Sequence, residues 1–310
     1  MIRIRVGPKP QPTDHPHVHG FRVAGHDVVS DVPFGELAPF AAAVPPDVGT
    51  PAAIESDSGS AGRAGEVFHG PAWLCGSTRE VACSITLRGY ELSVAGVGEF
   101  FVALRGQQIS RTSGDLDPSD PAVAETVLGP ALILALALHG TFCLHASAVL
   151  SPAGALLFLG PSGTGKSTLG SYLGGASGGF TPLTDDITPV VMSSAGPEVW
   201  PHFPQFKLPA DRQPAHVAPE RIGLRAAYLL DFPGTDATDV SIDGLDPARG
   251  LAAMVRHTVA VRLFGRSLMA TYLSRIGAAW SVPVRRLSYP RRFEALPDVA
   301  AAITDDLDDR

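Results

Sequence analysis

From Phe142 onward the chain alternates short apolar runs with turn signals. "FCLHASAVL" (142–150) reads as a strand, "SPAG" as a tight turn, "ALLFLG" (155–160) as a second strand, and "KSTLGSYLG" as a helix closing on glycines. "TPLTDDITPVVM" predicts one further strand, with "SSAGPE" as the turn into "VWPHF", and "AAYLL" is another apolar run. The stretch "DPARGLAAMVRHTVAVRLFGRSLMATYLSRIGAAW" has a largely helical period, and "PVRRLSY" and "PDVAAAITDDL" predict a last strand and a last helix. Upstream, the runs between Val67 and Gln108 are separated by glycine-containing turns and suit a small antiparallel sheet. A helix is predicted from Asp120-Pro121, an N-cap followed by proline at the first helical position, to about Gly140. Residues 1 to about 65 are rich in Pro, Gly, Ala and Asp and read as loop or weakly ordered chain with little chemistry. The whole is an α/β pattern without internal repeats: a Pro/Gly-rich segment and small β-rich region over 1–118, then an α/β domain over 119–310.

Composition narrows the partners. The 310 residues are 45% hydrophobic, enough for a substantial core, and the net charge is -7 with only the short basic pairs Arg285-Arg286 and Arg291-Arg292. That balance argues against nucleic acid as a main partner. The most apolar run, "ALILALAL" (131–138), is too short to cross a bilayer and reads as a core helix, so no membrane partner is expected. "MIRIRVGPKP" carries prolines and charges where a signal peptide needs its apolar segment. Cys75, Cys83 and Cys143 show no paired spacing and read as reduced thiols, which points to the cytoplasm.

Lysine is scarce: Lys9, Lys166 and Lys207 are the only three among 24 basic residues. One of them completes the pattern G-x-x-x-x-G-K-[ST] at Gly160, Gly165, Lys166 and Ser167, after an apolar strand and at the start of a helix. In such a loop, Gly160 to Thr168 (Gly160, Pro161, Ser162, Gly163, Thr164, Gly165, Lys166, Ser167, Thr168), glycines let backbone N–H groups turn toward phosphate oxygens. The helix N-terminus adds its dipole, Lys166 reaches the β and γ phosphates, and the Ser167 hydroxyl is a ligand for Mg²⁺. The adjacent Asp185 and Asp186 follow one helix later, where one carboxylate can serve a metal and the other a proton. Asp231, at the end of an apolar run, is the second candidate for the metal. His145 lies on the strand before the loop, where alternation points it to either face. His15, His17 and His19 alternate as on one face of a strand and form a weaker metal candidate among prolines.

Together, "LHASAV" with His145, the hairpin into "GPSGTGKST" and the pair Asp185-Asp186 resemble the catalytic domain of the HPr serine kinase/phosphorylase family. Its relatives include HPr kinase-like proteins of lasso-peptide and other peptide-modifying systems. The resemblance covers roughly residues 140 to 300. It implies a P-loop kinase domain of the HPr kinase / phosphoenolpyruvate carboxykinase type, preceded by a smaller β-rich region. It also implies phosphoryl transfer from ATP, with GTP not excluded, and Mg²⁺ to a serine hydroxyl of a peptide or small protein. On these positions Asp185 is the favoured general base, Lys166 and His145 complete the catalytic set, and Ser167 and Asp186 serve the metal; the order within the aspartate pair stays open. A homo-oligomer is compatible with the family. Arg256 and His257 are further candidates for positive charge at the transferred phosphate. Pro161 and Thr168 stand where the bifunctional enzymes commonly carry Asp and Glu, and the amino-terminal segment does not look like their regulatory domain. Both departures favour a one-way kinase over phosphorolysis. The alternative is a regulatory protein that binds nucleotide without transferring phosphate.

Overall fold

A computed structural model describes residues 1–7, 18–45, 65–74, 76–175, 179–208, 213, 218–231 and 239–308. His15, His17 and Cys75 lie outside them. The chain divides into two compact units, Met1–Thr141 with Ala260–Thr271, and Phe142–Val259 with Tyr272–Arg310.

The first unit is built on an eight-stranded sheet. Its strands are β1 (Ile2–Arg5), β2 (His19–Val23), β3 (His26–Ser30), β4 (Gly65–Leu74), β5 (Ser77–Ile85), β6 (Gly89–Val94), β7 (Gly98–Ala103) and β8 (Gln108–Ser113). The spatial order is β2-β3-β1-β8-β7-β6-β5-β4. The expected antiparallel meander over 67–108 is present as β4 to β8. The expectation of little order before residue 65 is corrected: β1, β2 and β3 extend the sheet, and β1 pairs in parallel with both β3 and β8. "IRIR" alternates buried and half-buried positions, with Ile2 and Ile4 in the core. Four residues of alternation beside a proline-rich segment are too short a signal to outweigh their surroundings.

The helix predicted from Asp120 is α1 (Pro121–Thr126), a π-turn over Val127–Ala131, and α2 (Leu132–Leu138). The Asp120 side chain caps it by accepting from the Ala122 N–H at 2.8 Å. Gly129 leaves helical geometry just before Pro130, whose missing N–H interrupts the ladder. By length and composition this 18-residue run is apolar enough to cross a membrane, but 78% of it is buried inside the protein, as expected of a core helix.

The second unit holds β9 (Thr141–Ser151), β10 (Gly154–Leu159), β11 (Thr181–Thr184), β12 (Ile187–Ser193), β13 (Gly196–Val199), β14 (Ile222–Asp231), β15 (Ser241–Gly244) and β16 (Val284–Ser288). The order is β10-β9-β12-β13-β14-β16-β15, with β11 on β9 and β10 also paired to β14. The β9–β10 hairpin is the expected one. Strands β10, β14 and β16 run parallel, so the chain leaves all three at the same end of the sheet. Helices α3 (Lys166–Gly175) and α6 (Leu296–Asp308) cover one face. There Leu169 and Leu173 of the first, and Val299 and Ile303 of the second, pack on Leu156, Phe158 and Tyr228 of the strands. Gly170 is required for that approach, because a Cβ there would strike the Ser147 side chain of β9.

Three element boundaries differ from the sequence pattern. The single strand expected over "TPLTDDITPVVM" is two, β11 and β12, broken at Asp185-Asp186. The "SSAGPE" turn is shorter than expected, since β13 begins at Gly196. The long helical stretch breaks into α4 (Pro247–Arg256) and α5 (Arg266–Ala279) around Ala260, which adopts φ 57°. At that break the Thr258 hydroxyl donates to Met254 O at 2.9 Å. Side-chain bonds at the breaks, such as this one and the Gln205 contacts to Asp185 and Asp186, leave no trace in hydrophobic periodicity.

Candidate functional site

The loop after β10 and the first turn of α3 form one wall of a cleft of about 410 Å³. Ser162 to Thr168, Asp185, Asp186 and His145 all line it, joined by Lys207, Tyr289, Arg291, Arg292, Phe293 and Leu296. The structure therefore gathers the loop, the aspartate pair and the strand histidine on one cavity. Gly160 and Pro161 are not among the lining residues; their carbonyls accept from Lys166.

Local geometry shapes the loop. Gly163 and Gly165 have φ of 81° and 78°, left-handed values of the kind that turn successive N–H groups toward a common side. Lys166 is buried and its Nζ donates to Gly160 O at 2.7 Å and to Pro161 O at 3.0 Å. Burial holds its pKa below the usual lysine value, with Asp186 and Asp185 acting in the opposite direction and Lys207 adding to the decrease. Leu169 N–H donates to Gly165 O at 2.9 Å, closing the first helical turn directly behind the loop.

The two aspartates occupy the corner between β11 and β12, and the corner is held from two sides. The Gln205 carboxamide, 1% exposed, accepts through Oε1 from the N–H groups of Asp185, Asp186 and Ile187 at 3.2, 3.1 and 3.3 Å. Its Nε2 donates to Ile187 O at 2.7 Å. Gln213, also buried, fixes Gln205 in turn by accepting from its N–H and donating to its C=O, both at 2.9 Å. On the β9 side, Thr188 Oγ1 donates to Ala146 O at 3.1 Å and Ser147 Oγ to Thr184 O at 3.2 Å, while the Thr184 and Thr188 hydroxyls bond each other. The corner is thereby locked to the strand that carries His145.

The pair is not symmetric. Asp186 Oδ1 accepts from Lys207 Nζ at 2.9 Å and lies 3.5 Å from His145 Nδ1, whereas the Asp185 carboxylate makes no ion pair or side-chain hydrogen bond among the described residues. Burial first, then the Lys166 charge, holds the His145 pKa below its usual value, with Asp186 opposing. His145 N–H donates to His257 O at 2.7 Å.

The sequence reading had no spacing signal for Lys207, Gln205, Gln213 or Arg291. Arg291, on the turn after β16, donates to Gly163 O. The only available hint was the scarcity of lysine: two of the three stand in this cleft. With Lys166, Lys207, Arg291 and Arg292 against Asp185 and Asp186, the lining is cationic although the chain carries a net charge of -7, so it favours an anion.

Other candidates lie elsewhere. Asp231 is exposed at the end of β14 and does not line the cleft. His257 is buried and is not among the lining residues, and burial followed by Lys166 and His145 lowers its pKa to about 4. Arg256 is exposed and is not among the lining residues. Of the alternating histidines only His19 is described, on β2. Among the described residues no three His, Cys, Asp or Glu side chains gather into a metal site. Ser167 and Asp186 both line the cleft, with Asp186 Oδ1 engaged by Lys207 and His145, and Mg²⁺ commonly takes only one or two protein ligands, completing its shell with water and phosphate oxygens.

No protein-family model matches the chain, and no curated protein does. Among solved structures it is similar to the HPr(Ser) kinase/phosphatase from Coxiella burnetii, at 10% identity and a TM-score of 0.33 over 53% of this chain and 95% of that one. A likeness of that degree says nothing about the chemistry of the cleft.

Proposed function

We propose that the cleft binds ATP and transfers its γ-phosphoryl group to a serine-type hydroxyl of a peptide or small protein. The observation that carries this reading is the meeting, in one cationic cleft, of the lysine-bearing glycine loop with a carboxylate that has no ion-pair partner among the described residues. A nucleotide-binding loop alone suits a switch or a pump; a base beside it suits transfer to an acceptor.

In this reading the loop amides and Lys166 hold the phosphate chain, with Lys166 exchanging the Gly160 and Pro161 carbonyls for phosphate oxygens. Ser167 and Asp186 would hold Mg²⁺, which would supply positive charge against the phosphate chain. Asp185 takes the proton of the attacking hydroxyl as its oxygen bonds to the γ-phosphorus and the bond to the bridging oxygen breaks, leaving ADP. Asp186 is the weaker choice of base, because Lys207 and His145 already occupy its Oδ1. His145, its Nδ1 3.5 Å from Asp186 Oδ1, orients that carboxylate.

The test uses γ-labelled ATP with Mg²⁺ and an array of serine-containing peptides beside the same array with alanine. Label is expected on serine peptides only. Asp185→Asn should lower transfer by roughly 10²–10⁴-fold while ATP still binds, and Lys166→Ala should lose both. Full transfer by both variants would remove these residues from the site. Binding of ATP with no peptide labelled favours a nucleotide-binding regulator.

A further inference from the structure

Phe293 is chemically out of keeping with the rest of the cleft. Apart from the buried Tyr289 and Leu296, the lining is made of charged side chains, loop backbone and small hydroxyls, yet this ring is 74% exposed. It sits on a short 3-10 turn, Phe293–Ala295, between Arg292 and α6. The turn leaves the sheet beside β16, at the end where β10 delivers the glycine loop. Arg291, two residues earlier, donates to Gly163 O, so this turn and the loop are tied together. Leu296 lines the same cavity from the hydrophobic core, where it is 4% exposed.

We propose that Phe293 is the stacking platform of a nucleobase subsite, so that the ligand is a nucleoside triphosphate rather than a bare polyphosphate. The proposal rests on the phosphate-binding reading of the loop and specifies what lies at the far end of the phosphate chain. An exposed ring costs solvent-facing apolar area unless a flat partner covers it, and a base offers a π-face of matching size. A ring on a turn linked to the loop tip stands beside the phosphate wall, where the nucleoside end of a ligand emerges. Stacking is tolerant of base identity, which predicts modest discrimination between ATP and GTP.

The experiment measures binding of ATP and of inorganic tripolyphosphate, each with Mg²⁺, to the full chain and to Phe293→Ala, Phe293→Trp and Lys166→Ala. Because Phe293 is exposed, its variants are expected to fold. Phe293→Ala should weaken ATP about 10- to 100-fold and change tripolyphosphate by less than about twofold. Phe293→Trp should keep ATP affinity and show tryptophan quenching by ATP that tripolyphosphate does not produce. Equal loss of both ligands in Phe293→Ala, or no loss of either, overturns the base subsite. So does an unchanged ATP affinity with weaker use of a serine peptide, which would put the acceptor on the ring. If Lys166→Ala binds both ligands as well as the wild type, the phosphate reading itself fails, and that result is distinct from the others.

Discussion

Gln205 shows how one neutral side chain organises two charged ones. Three consecutive amides converge on its Oε1, which pins the backbone of the aspartate corner without adding a charge beside the two carboxylates. Replacing it by alanine would orphan those N–H groups and the Ile187 carbonyl in a half-buried place. Gln205→Ala should therefore cost about 1–3 kcal/mol in urea unfolding and lower kcat for transfer more than it alters ATP affinity. A loss of stability with kcat intact would mean that the clamp holds the fold and does not position the pair. Nothing in "HFPQFKLP" marked this glutamine, because a hydrogen bond to residues about twenty positions away leaves no periodic trace. The glycine loop was legible for the opposite reason: its constraints act between neighbours.

Helix α6 is secured through a nearly buried ion pair. Asp306 and Arg285 are 12% and 13% exposed and in contact, and the Tyr228 hydroxyl donates to the other carboxylate oxygen at 2.9 Å. Burial, followed by this bond and the Asp306 charge, pushes the Tyr228 pKa upward. Removing the carboxylate would leave the guanidinium without its counter-charge. Asp306→Ala is expected to cost about 3–5 kcal/mol and Asp306→Asn less, because the amide oxygen can still accept from Tyr228. Urea midpoints at one pH compare them, and a cost below about 1 kcal/mol for the alanine variant would show that the pair is dispensable. The helix itself was evident from "PDVAAAITDDL", but its docking onto Tyr228 and Arg285 depends on β14 and β16 being neighbours in the sheet. The aspartate corner is similar: its strand pattern was visible, and the break was imposed by the Thr184, Thr188 and Gln205 bonds.

For the molecule as a whole, acid should be destabilising well before the carboxylates titrate. His26 in the first unit and His257 in the second both have pKa values lowered from 6.5 to about 4, chiefly by burial. In the unfolded chain each binds a proton as pH falls through 6.5, while the folded form stays neutral until about 4. The unfolded state then holds more protons, so stability is level above that window, declines within it, and is level again below it as far as these groups are concerned. Urea unfolding at about pH 7.5 and about pH 5 checks this. His26→Gln should flatten the decline, and an unchanged slope would place the proton uptake elsewhere.

The order of apolar runs, the turn and capping residues and the loop-to-helix step are local matters, set by side-chain periodicity and backbone geometry over a few residues. The β9–β10 hairpin, the α3 start, the capped helix at Asp120 and the aspartate pair could be recognised on that basis. Lys207, Gln205, Arg291 and Phe293 could not, nor could the parallel placement of β1 between β3 and β8. Arg291 and Gly163 are 128 positions apart, and they meet because strand pairing brings the ends of β10, β14 and β16 to one edge of the sheet. Pairing is decided by burying the most apolar surface across the whole chain, so the charges and the ring that complete the cleft become neighbours only when the sheet is assembled.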